Sequence, residues 1–261
     1  MKLQVVGGGN MGQALIGGYL AEGRAEAGEI RVVELDVARS EELKTTFPGI
    51  SVSDAVDGDM DTLVAVKPQH VGDVVSKISG RGVRVLSVAA GVRISEMESA
   101  APDAHVVRAM PNTPALIGKG ASAIAGGTHA TDDDLEWAES ILGAVGMVVR
   151  VDEHDLDAVT GLSGSGPAYV FHLAEGLVAA GIARGLSPEV ADALTRQTLL
   201  GAASLLSSSG EDPAILRQRV TSPGGTTAAG LSVFAEADLL GLVDRVVAAA
   251  TERSIELGEE N

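Results

Sequence analysis

The start of the chain constrains the fold more than any other stretch. The apolar run at residues 3–6 ends at Gly7-Gly8-Gly9-Asn10-Met11-Gly12, and apolar residues then recur at helical spacing over residues 13–20. A strand, a G-x-G-x-x-G turn and a helix in this order are typical of a dinucleotide-binding βαβ unit, with a purely structural turn as the alternative. The glycines let the backbone approach a pyrophosphate, and the helix N-terminus faces its charge. We therefore expect Gly7, Gly9, Asn10, Met11 and Gly12 to bind a dinucleotide.

A second strand, predicted at residues 30–35, bears on the choice of dinucleotide. It places Glu34 where an acid that binds the adenosine ribose is expected. Glu34 and the neighbouring Asp36 would repel a 2′-phosphate and so favour NADH. Arg39 is the nearest cation that could accept such a phosphate, which keeps NADPH as an alternative. Glu34 could also simply end a strand in solvent.

Strands continue to alternate with helical segments through the first half of the chain. This alternation predicts a mostly parallel sheet with helices on both faces, the architecture of a Rossmann domain. The further strands are predicted at residues 62–66, 84–88, 105–110 and 147–151, with a helix at residues 70–79.

Ligands of such sheets lie at the carboxyl ends of the strands. Here these ends carry Val66-Lys67-Pro68, Ala89-Ala90-Gly91 and Met110-Pro111-Asn112. Lys67 could meet ribose or phosphate, and Asn112 the ribose or the nicotinamide side. Ordinary turn chemistry is the alternative for each loop. The candidate cofactor residues of these loops are Val66, Lys67, Pro68, Ala90 and Asn112.

After Val151 the pattern becomes entirely helical. We predict a Rossmann domain at residues 1–153, followed by an all-helical domain at residues 154–261. Its predicted helices are apolar on more than one face, which is typical of buried helices. A module of this size is expected to bury such faces against a second copy in a symmetric dimer. A self-contained bundle is the alternative.

A glycine-rich run at residues 220–231 precedes one of these helices. Pro223, Gly224 and Gly225 favour a tight turn, and the helix that follows leaves unpaired amides at its N-terminus. Such amides hold an anion such as a carboxylate. The hydroxyls of Ser222, Thr226 and Thr227 could orient a small polar molecule. A turn that merely caps a helix is the alternative.

Composition excludes several classes of function. Aromatic residues make up only 2 % of the chain and the formal charge is -17, so neither a nucleic acid nor an anionic membrane is an expected partner. Without cysteine there are no disulfides or thiolate metal sites, and no histidine has metal-binding spacing, so we expect no metal. No cleavable signal and no apolar run of about 18 residues occur, which predicts a cytoplasmic protein.

Several motifs, in order along the chain, resemble those of the pyrroline-5-carboxylate reductase family. Besides the N-terminal glycine motif they are Ala65-Val66-Lys67-Pro68-Gln69, Ala89-Ala90-Gly91-Val92, Arg108-Ala109-Met110-Pro111-Asn112-Thr113-Pro114, Thr160-Gly161-Leu162-Ser163-Gly164-Ser165-Gly166-Pro167-Ala168-Tyr169, Gln197-Thr198, Gly201-Ala202-Ala203 and residues 220–227. The resemblance implies a helical domain that interlocks with a second subunit in a homodimer, with several dimers sometimes forming a ring.

The resemblance also implies an activity and a substrate site. The family transfers hydride from NADPH or NADH to the imine carbon of 1-pyrroline-5-carboxylate, giving L-proline in the last step of proline biosynthesis. By resemblance, Ser222 and the amides of Gly225 and Thr226 hold the substrate carboxylate, and Thr227 hydrogen-bonds the ring nitrogen. Glu153 would reach the substrate of the neighbouring subunit. The segment from Glu34 to Arg39 departs from the family's pattern, which suits NADPH.

Two other functions compete with this interpretation. Dehydrogenases of β-hydroxy acids share the architecture but carry a lysine proton donor in the helical domain, whereas no lysine follows Lys119 here. A nucleotide-sensing protein without turnover would not need the run from Ser222 to Thr227. A cyclic imine can be protonated before hydride arrives, which agrees with the absence of an evident catalytic acid.

Overall fold

The computed structural model describes residues 2–260. Eight strands form one sheet in the order β3-β2-β1-β4-β5-β6-β7-β8, and neighbouring strands are parallel except β6 and β7, which are antiparallel. This confirms the predicted mostly parallel sheet. The strands are β1 (Leu3–Val6), β2 (Ile30–Val33), β3 (Ser51–Ser53), β4 (Thr62–Val64), β5 (Arg84–Ser87), β6 (His105–Met110), β7 (Gly120–Gly126) and β8 (Gly146–Arg150).

Two of these strands, β3 and β7, are not predicted from the sequence. β3 has only three residues, too few for an alternating pattern. β7 consists mainly of glycine and alanine, residues with low strand propensity, and it is held by pairing with a strand on each side.

Helices cover both faces of the sheet. The α-helices up to residue 159 are α1 (Asn10–Ala21), α2 (Val37–Thr46), α3 (Val71–Val75), α4 (Ile94–Ala100), α5 (Asp132–Leu142) and α6 (Leu156–Val159). The helix predicted at residues 70–79 is shorter than expected. Its 3-10 first turn spans Pro68–His70, and α3 ends at Val75. Beyond it the Lys77 and Ile78 amides donate to carbonyls three residues back, and the Ser79 and Gly80 amides donate to the Gly58 carbonyl.

The core lies on both sides of the sheet. Consecutive residues of a strand face opposite sides, and Val5 and Val6 accordingly join different apolar clusters. Val5 packs in the cluster that contains Leu15 of α1, whereas Val6 packs in the cluster that contains Leu156 of α6. The sheet is therefore buried on both faces, as the near-continuous apolar strands predict.

Within the described residues, packing divides the chain into two compact units. The first, here called the sheet unit, comprises residues up to Ser165 together with those from Val247 onward, and the second, here called the helical unit, spans Gly166–Val246. The domain boundary predicted after residue 153 stays a prediction. The remaining helices are α7 (Gly166–Ala183), α8 (Pro188–Ser209), α9 (Pro213–Arg219), α10 (Thr226–Glu236) and α11 (Leu239–Glu260).

The helical unit has no closed core of its own. Its only buried residues are Ala191 and Thr195, both on α8. Phe171 of α7 is 63 % exposed and Leu194 of α8 is 56 % exposed. An apolar surface this extensive on packed helices indicates a missing partner surface. Separately, no helix in the described part of the chain is long and apolar enough to cross a membrane.

Asp134 joins α5 to the sheet and gives the sheet unit a dependence on pH. Its carboxylate accepts hydrogen bonds from the Thr131 amide and hydroxyl, both at 2.7 Å, and lies 2.8 Å from His105 Nδ1. Burial raises the pKa of Asp134, but the hydrogen bonds from Thr131 and His105 outweigh it, so the net pKa lies below its ordinary value. The charged form is therefore favoured by folding.

We predict that Asp134→Asn lowers the free energy of unfolding at pH 7 by about 1–3 kcal/mol, because the donors of Thr131 and His105 lose their charged acceptor. A carboxyl with a lowered folded-state pKa contributes stability above its unfolded pKa and loses it as pH falls through the folded value. The wild type should thus lose this contribution below about pH 4, and the variant should lack that loss. Urea unfolding at fixed protein concentration between pH 7 and pH 3 measures both effects.

Asp133→Asn is the matched control. Asp133 is exposed on the same helical turn, and its carboxylate accepts no hydrogen bond from the residues described. An equal loss of stability in both variants would assign the effect to the helix dipole rather than to the Asp134 contacts.

Candidate active site

The glycine motif forms a tight turn between β1 and α1. Gly7 has a φ of +107°, in the region that favours glycine, and a Cβ there would lie 2.6 Å from the Ala65 carbonyl oxygen. A Cβ on Gly12 would overlap the carbonyl oxygen of Gly7. Glycine at both positions lets β1, β4 and α1 come together. Among described residues, the amides of Gly9, Asn10, Met11 and Gly12 have no acceptor. The turn therefore presents unpaired donors to an anion.

A pocket of about 490 Å³ lies beside this turn in the sheet unit, at the carboxyl ends of β1, β2 and β4. Its charged lining includes three acids, Glu34, Asp54 and Asp73, and three permanent cations, Arg39, Lys67 and Lys77. The chain as a whole carries -17. The pocket is thus a locally balanced region on an acidic protein, where an anionic ligand meets less repulsion than elsewhere on the surface.

Glu34 lines the pocket, but its carboxylate is already engaged. Oε2 accepts a hydrogen bond from the Gly8 amide at 3.0 Å, and Oε1 accepts from the amides of Leu35 and Asp36, both at 2.9 Å. Arg39 Nη1 lies 4.0 Å from Oε2. Glu34 therefore supplies a fixed negative charge beside the glycine turn and also holds that turn in place.

Asp36 also has a structural role. Its carboxylate accepts a hydrogen bond from the Arg39 amide at 2.8 Å and so caps the N-terminus of α2. It is not among the residues that line the pocket. The expectation that Asp36 supports Glu34 in repelling a 2′-phosphate stays a prediction.

Of the loop residues predicted to contact the cofactor, some line the pocket and others do not. Val66 and Lys67 line the pocket, and Pro68 begins the adjacent 3-10 turn. Ala90 is exposed after β5. Asn112 Oδ1 accepts from the Ala121 amide at 2.9 Å, and Nδ2 donates to the Ser163 carbonyl at 3.1 Å.

The Asn112 side chain therefore joins β7 to the π-helical turn Thr160–Gly164. Only one hydrogen of its amide is left for a ligand. A π-helical turn is a frequent feature of functional sites. The contact of Asn112 with a cofactor, expected from the sequence, remains a prediction.

Glu153 joins three elements of the sheet unit. Its Oε1 accepts from the Ile94 amide at the start of α4, at 2.7 Å, and from Arg108 Nη1 on β6, at 3.0 Å. The Arg108 side chain is only 7 % exposed, so this ion pair is largely sheltered from water. Sequence reasoning did not select Arg108 as a site residue, because its partner lies far away in the chain. The proposed contact of Glu153 with a neighbouring subunit's substrate stays a prediction.

The run from Ser222 to Thr227 forms the start of α10 in the helical unit. Gly224 has a φ of +69°, and the Gly225 amide donates to the Ser222 carbonyl at 3.1 Å. A Cβ on Gly225 would overlap Ser222 Oγ, so glycine allows that hydroxyl to lie against the helix start. In the described part of the chain, the amides of Thr226 and Thr227 have no acceptor. The sequence-predicted residues are thus brought together at one helix N-terminus.

Comparison with known proteins agrees with this arrangement. A family model described as pyrroline-5-carboxylate reductase dimerisation matches residues 153–257, and one described as NADP oxidoreductase, coenzyme F420-dependent, matches residues 2–91. The pyrroline-5-carboxylate reductase of Synechocystis sp. is 40 % identical over 100 % of this chain and 99 % of its own length. The chain belongs to the pyrroline-5-carboxylate reductase family. The enzyme of Mycobacterium leprae is 41 % identical over 98 % of this chain and 96 % of its own length.

Solved pyrroline-5-carboxylate reductases share the fold. The Coxiella burnetii enzyme has a TM-score of 0.92 at 34 % identity and covers 98 % of both chains. The Plasmodium falciparum enzyme, solved with NADP bound, has a TM-score of 0.84 at 27 % identity and covers 99 % of this chain and 98 % of its own. The predicted family, fold class, use of a nicotinamide cofactor and homo-oligomerisation are confirmed.

The glycine turn of this reductase yields a direct test. We predict that Gly12→Ala removes cofactor binding and lowers the free energy of unfolding by about 1–3 kcal/mol, because the added methyl group overlaps the rigid Gly7 backbone. Gly17→Ala is the control on the same helix. Its methyl group would make an ordinary contact with Phe47 at 3.5 Å, and alanine is favoured over glycine within a helix by about 1 kcal/mol.

NADH fluorescence titration and urea unfolding of both variants measure these effects. Normal cofactor affinity in Gly12→Ala would contradict the role assigned to the turn.

Proposed function

We propose that this reductase binds its cofactor in the pocket beside the glycine turn and its substrate carboxylate at the N-terminus of α10. The chain is an NAD(P)H-dependent oxidoreductase that reduces the cyclic imine 1-pyrroline-5-carboxylate to L-proline, the last step of proline biosynthesis. The observation that carries the proposed site is the pair of unpaired amides at Thr226 and Thr227.

The substrate site is suited to a small carboxylate. The amides of Thr226 and Thr227 and the positive end of the α10 dipole attract a negative charge without any side-chain cation. Ser222 Oγ lies at the same helix start and adds a hydroxyl donor. In the proposed complex, Ser222 and the Thr226 amide hold the carboxylate, and the Thr227 hydroxyl orients the ring nitrogen. The Gly225 amide, which the sequence also predicted to hold the carboxylate, instead donates to the Ser222 carbonyl at 3.1 Å.

Positioning supplies most of the rate enhancement in this proposal. A reduced nicotinamide bound in the pocket would supply hydride for a new C–H bond at the imine carbon, and the C=N electron pair would move to nitrogen. Because the imine is protonated to an iminium beforehand, hydride arrival leaves a neutral amine and needs no acid at that step. The chain has to hold the imine carbon in a near-attack geometry and keep the nitrogen oriented. Thr227 serves the second requirement.

We predict that Thr227→Ala lowers kcat by tens to hundreds of fold, the usual effect of losing one oriented hydrogen bond in the transition state. Thr227→Ser keeps the hydroxyl and should retain most of the activity. Steady-state oxidation of NADH with 1-pyrroline-5-carboxylate measures both. A fully active Thr227→Ala enzyme would remove this residue from the mechanism.

We further propose that NADH is the preferred cofactor. Glu34 holds a fixed carboxylate at the mouth of the pocket, and its side chain is only 12 % exposed. A 2′-phosphate placed there would be repelled by about 1 kcal/mol per unit charge at 4 Å even in water. Arg39 offsets part of this repulsion and keeps NADPH as the second cofactor.

The expected result is a kcat/KM for NADH at least about tenfold above that for NADPH at low salt, equivalent to about 1.4 kcal/mol. The ratio should shrink in molar salt, where charges are screened beyond about 3 Å. Initial rates with each cofactor at low and high salt test this. An equal or higher kcat/KM for NADPH at low salt would contradict it.

The assembly and location follow as further proposals. The exposed apolar faces of the helical unit support a symmetric homodimer, and dimers of this kind can join further into a ring. We place the enzyme in the cytoplasm. Sedimentation of the purified protein would give the number of subunits.

A further inference from the structure

The acid best placed to bind the adenosine ribose is not the one that the sequence motif selects. Glu34 has committed its carboxylate to three backbone amides, of Gly8, Leu35 and Asp36. At most one acceptor position, on Oε2, is left for a ligand. A ribose hydroxyl that donated to Glu34 would therefore compete with bonds that hold the glycine turn.

A second acid lies beside it at the end of the next strand. β2 and β3 are parallel with Val33 opposite Ser53, and the Glu34 amide donates to the Ser53 carbonyl at 3.0 Å. Glu34 and Asp54 are the next residues of the two strands, so their backbones are neighbours at about the interstrand spacing of 4.8 Å. Both line the pocket together with Gly7 and Gly9.

The backbone on both sides of Asp54 is fixed. Arg31 Nη2 donates to Ser53 Oγ at 3.0 Å and to the Ala55 carbonyl at 3.1 Å. The Ala55 amide in turn donates to Ser53 Oγ at 3.1 Å. These contacts close a short turn around Asp54, so its side chain starts from a defined place.

The Asp54 carboxylate itself makes no hydrogen bond or ion pair with any residue described, and Asp54 is exposed. It therefore keeps all of its acceptor capacity. A free carboxylate on a fixed backbone at the pocket wall is suited to accept hydrogen bonds from a vicinal diol such as the ribose 2′- and 3′-hydroxyls. The same charge disfavours a phosphate in place of the 2′-hydroxyl.

We propose that Asp54 is the residue that accepts the adenosine ribose hydroxyl, and that it excludes a 2′-phosphate jointly with the fixed charge of Glu34. This inference rests on the proposed function, because it requires that the pocket hold the adenosine half of the cofactor. Glu34 then serves as a positioning residue for the glycine turn and as a second negative charge.

Binding of NADH and NADPH to the full-length enzyme, without imine substrate, tests the proposal. The dissociation constants are measured from the nicotinamide fluorescence. Asp54→Asn should weaken NADH binding about tenfold, the usual effect of losing a charge-assisted hydrogen bond, and should leave NADPH binding unchanged or tighter. The NADPH-to-NADH affinity ratio therefore rises at least tenfold. Asp54→Glu keeps the charge and should restore part of the preference for NADH.

Asp59→Asn is the matched control, because Asp59 is an exposed acid on the same connection and does not line the pocket. It should leave both dissociation constants unchanged. Circular dichroism checks that each variant is folded. An unchanged affinity ratio in folded Asp54→Asn overturns the proposal, whether or not Glu34→Gln shifts the ratio, because the preference would then not depend on Asp54. A wild type that binds neither cofactor would instead contradict the proposed function itself.

Discussion

The proposed site depends on one interaction, the attraction between an anion and the unpaired amides of a helix N-terminus. Such unpaired amides occur at the start of α1 and again at the start of α10, each time after a glycine turn. Such a contact contributes about 0.3–1 kcal/mol, and up to about 2 kcal/mol when partly buried. On a chain of charge -17 this matters, because the overall field repels an anionic cofactor and an anionic substrate. Amides attract at short range and do not titrate, so the attraction persists across the pH range of the folded enzyme.

Glu34 both holds the glycine turn and contributes to the proposed cofactor preference. Glu34 accepts a hydrogen bond from the Gly8 amide, and its charge lies at the wall of the pocket proposed for the cofactor. A side chain held by three amides is rigid, so it can repel without moving, but it has little capacity left to recognise a diol. Recognition of the ribose diol and repulsion of a 2′-phosphate can then be divided between neighbouring acids. Parallel strands in register, here β2 and β3, provide such neighbours without a long loop.

The sequence predicted the parts of the structure that are local. Hydrophobic period and glycine spacing place β1, the turn and α1, and the unpaired amides of α10 follow from residues 222–227 alone. It did not predict the partners of Asn112 and Glu153, because Ser163 and Ile94 lie far away along the chain. Asp54 was missed for a related reason. Its strand, β3, is too short to show a period, and its place beside Glu34 is set by strand register, a property of the folded sheet.

The helical unit explains why the substrate site and subunit association belong together. Anion binding by amides requires that α10 be held still, since a helix that frays loses the donors at its end. Yet α10 exposes Val233 and Phe234, and the unit around it buries only Ala191 and Thr195. A set of helices with so little interior cannot by itself offset the entropy of ordering. We therefore expect the surface that orders α10 to come from a second copy of the chain, so that the proposed carboxylate site depends on the same association that stabilises the helical unit.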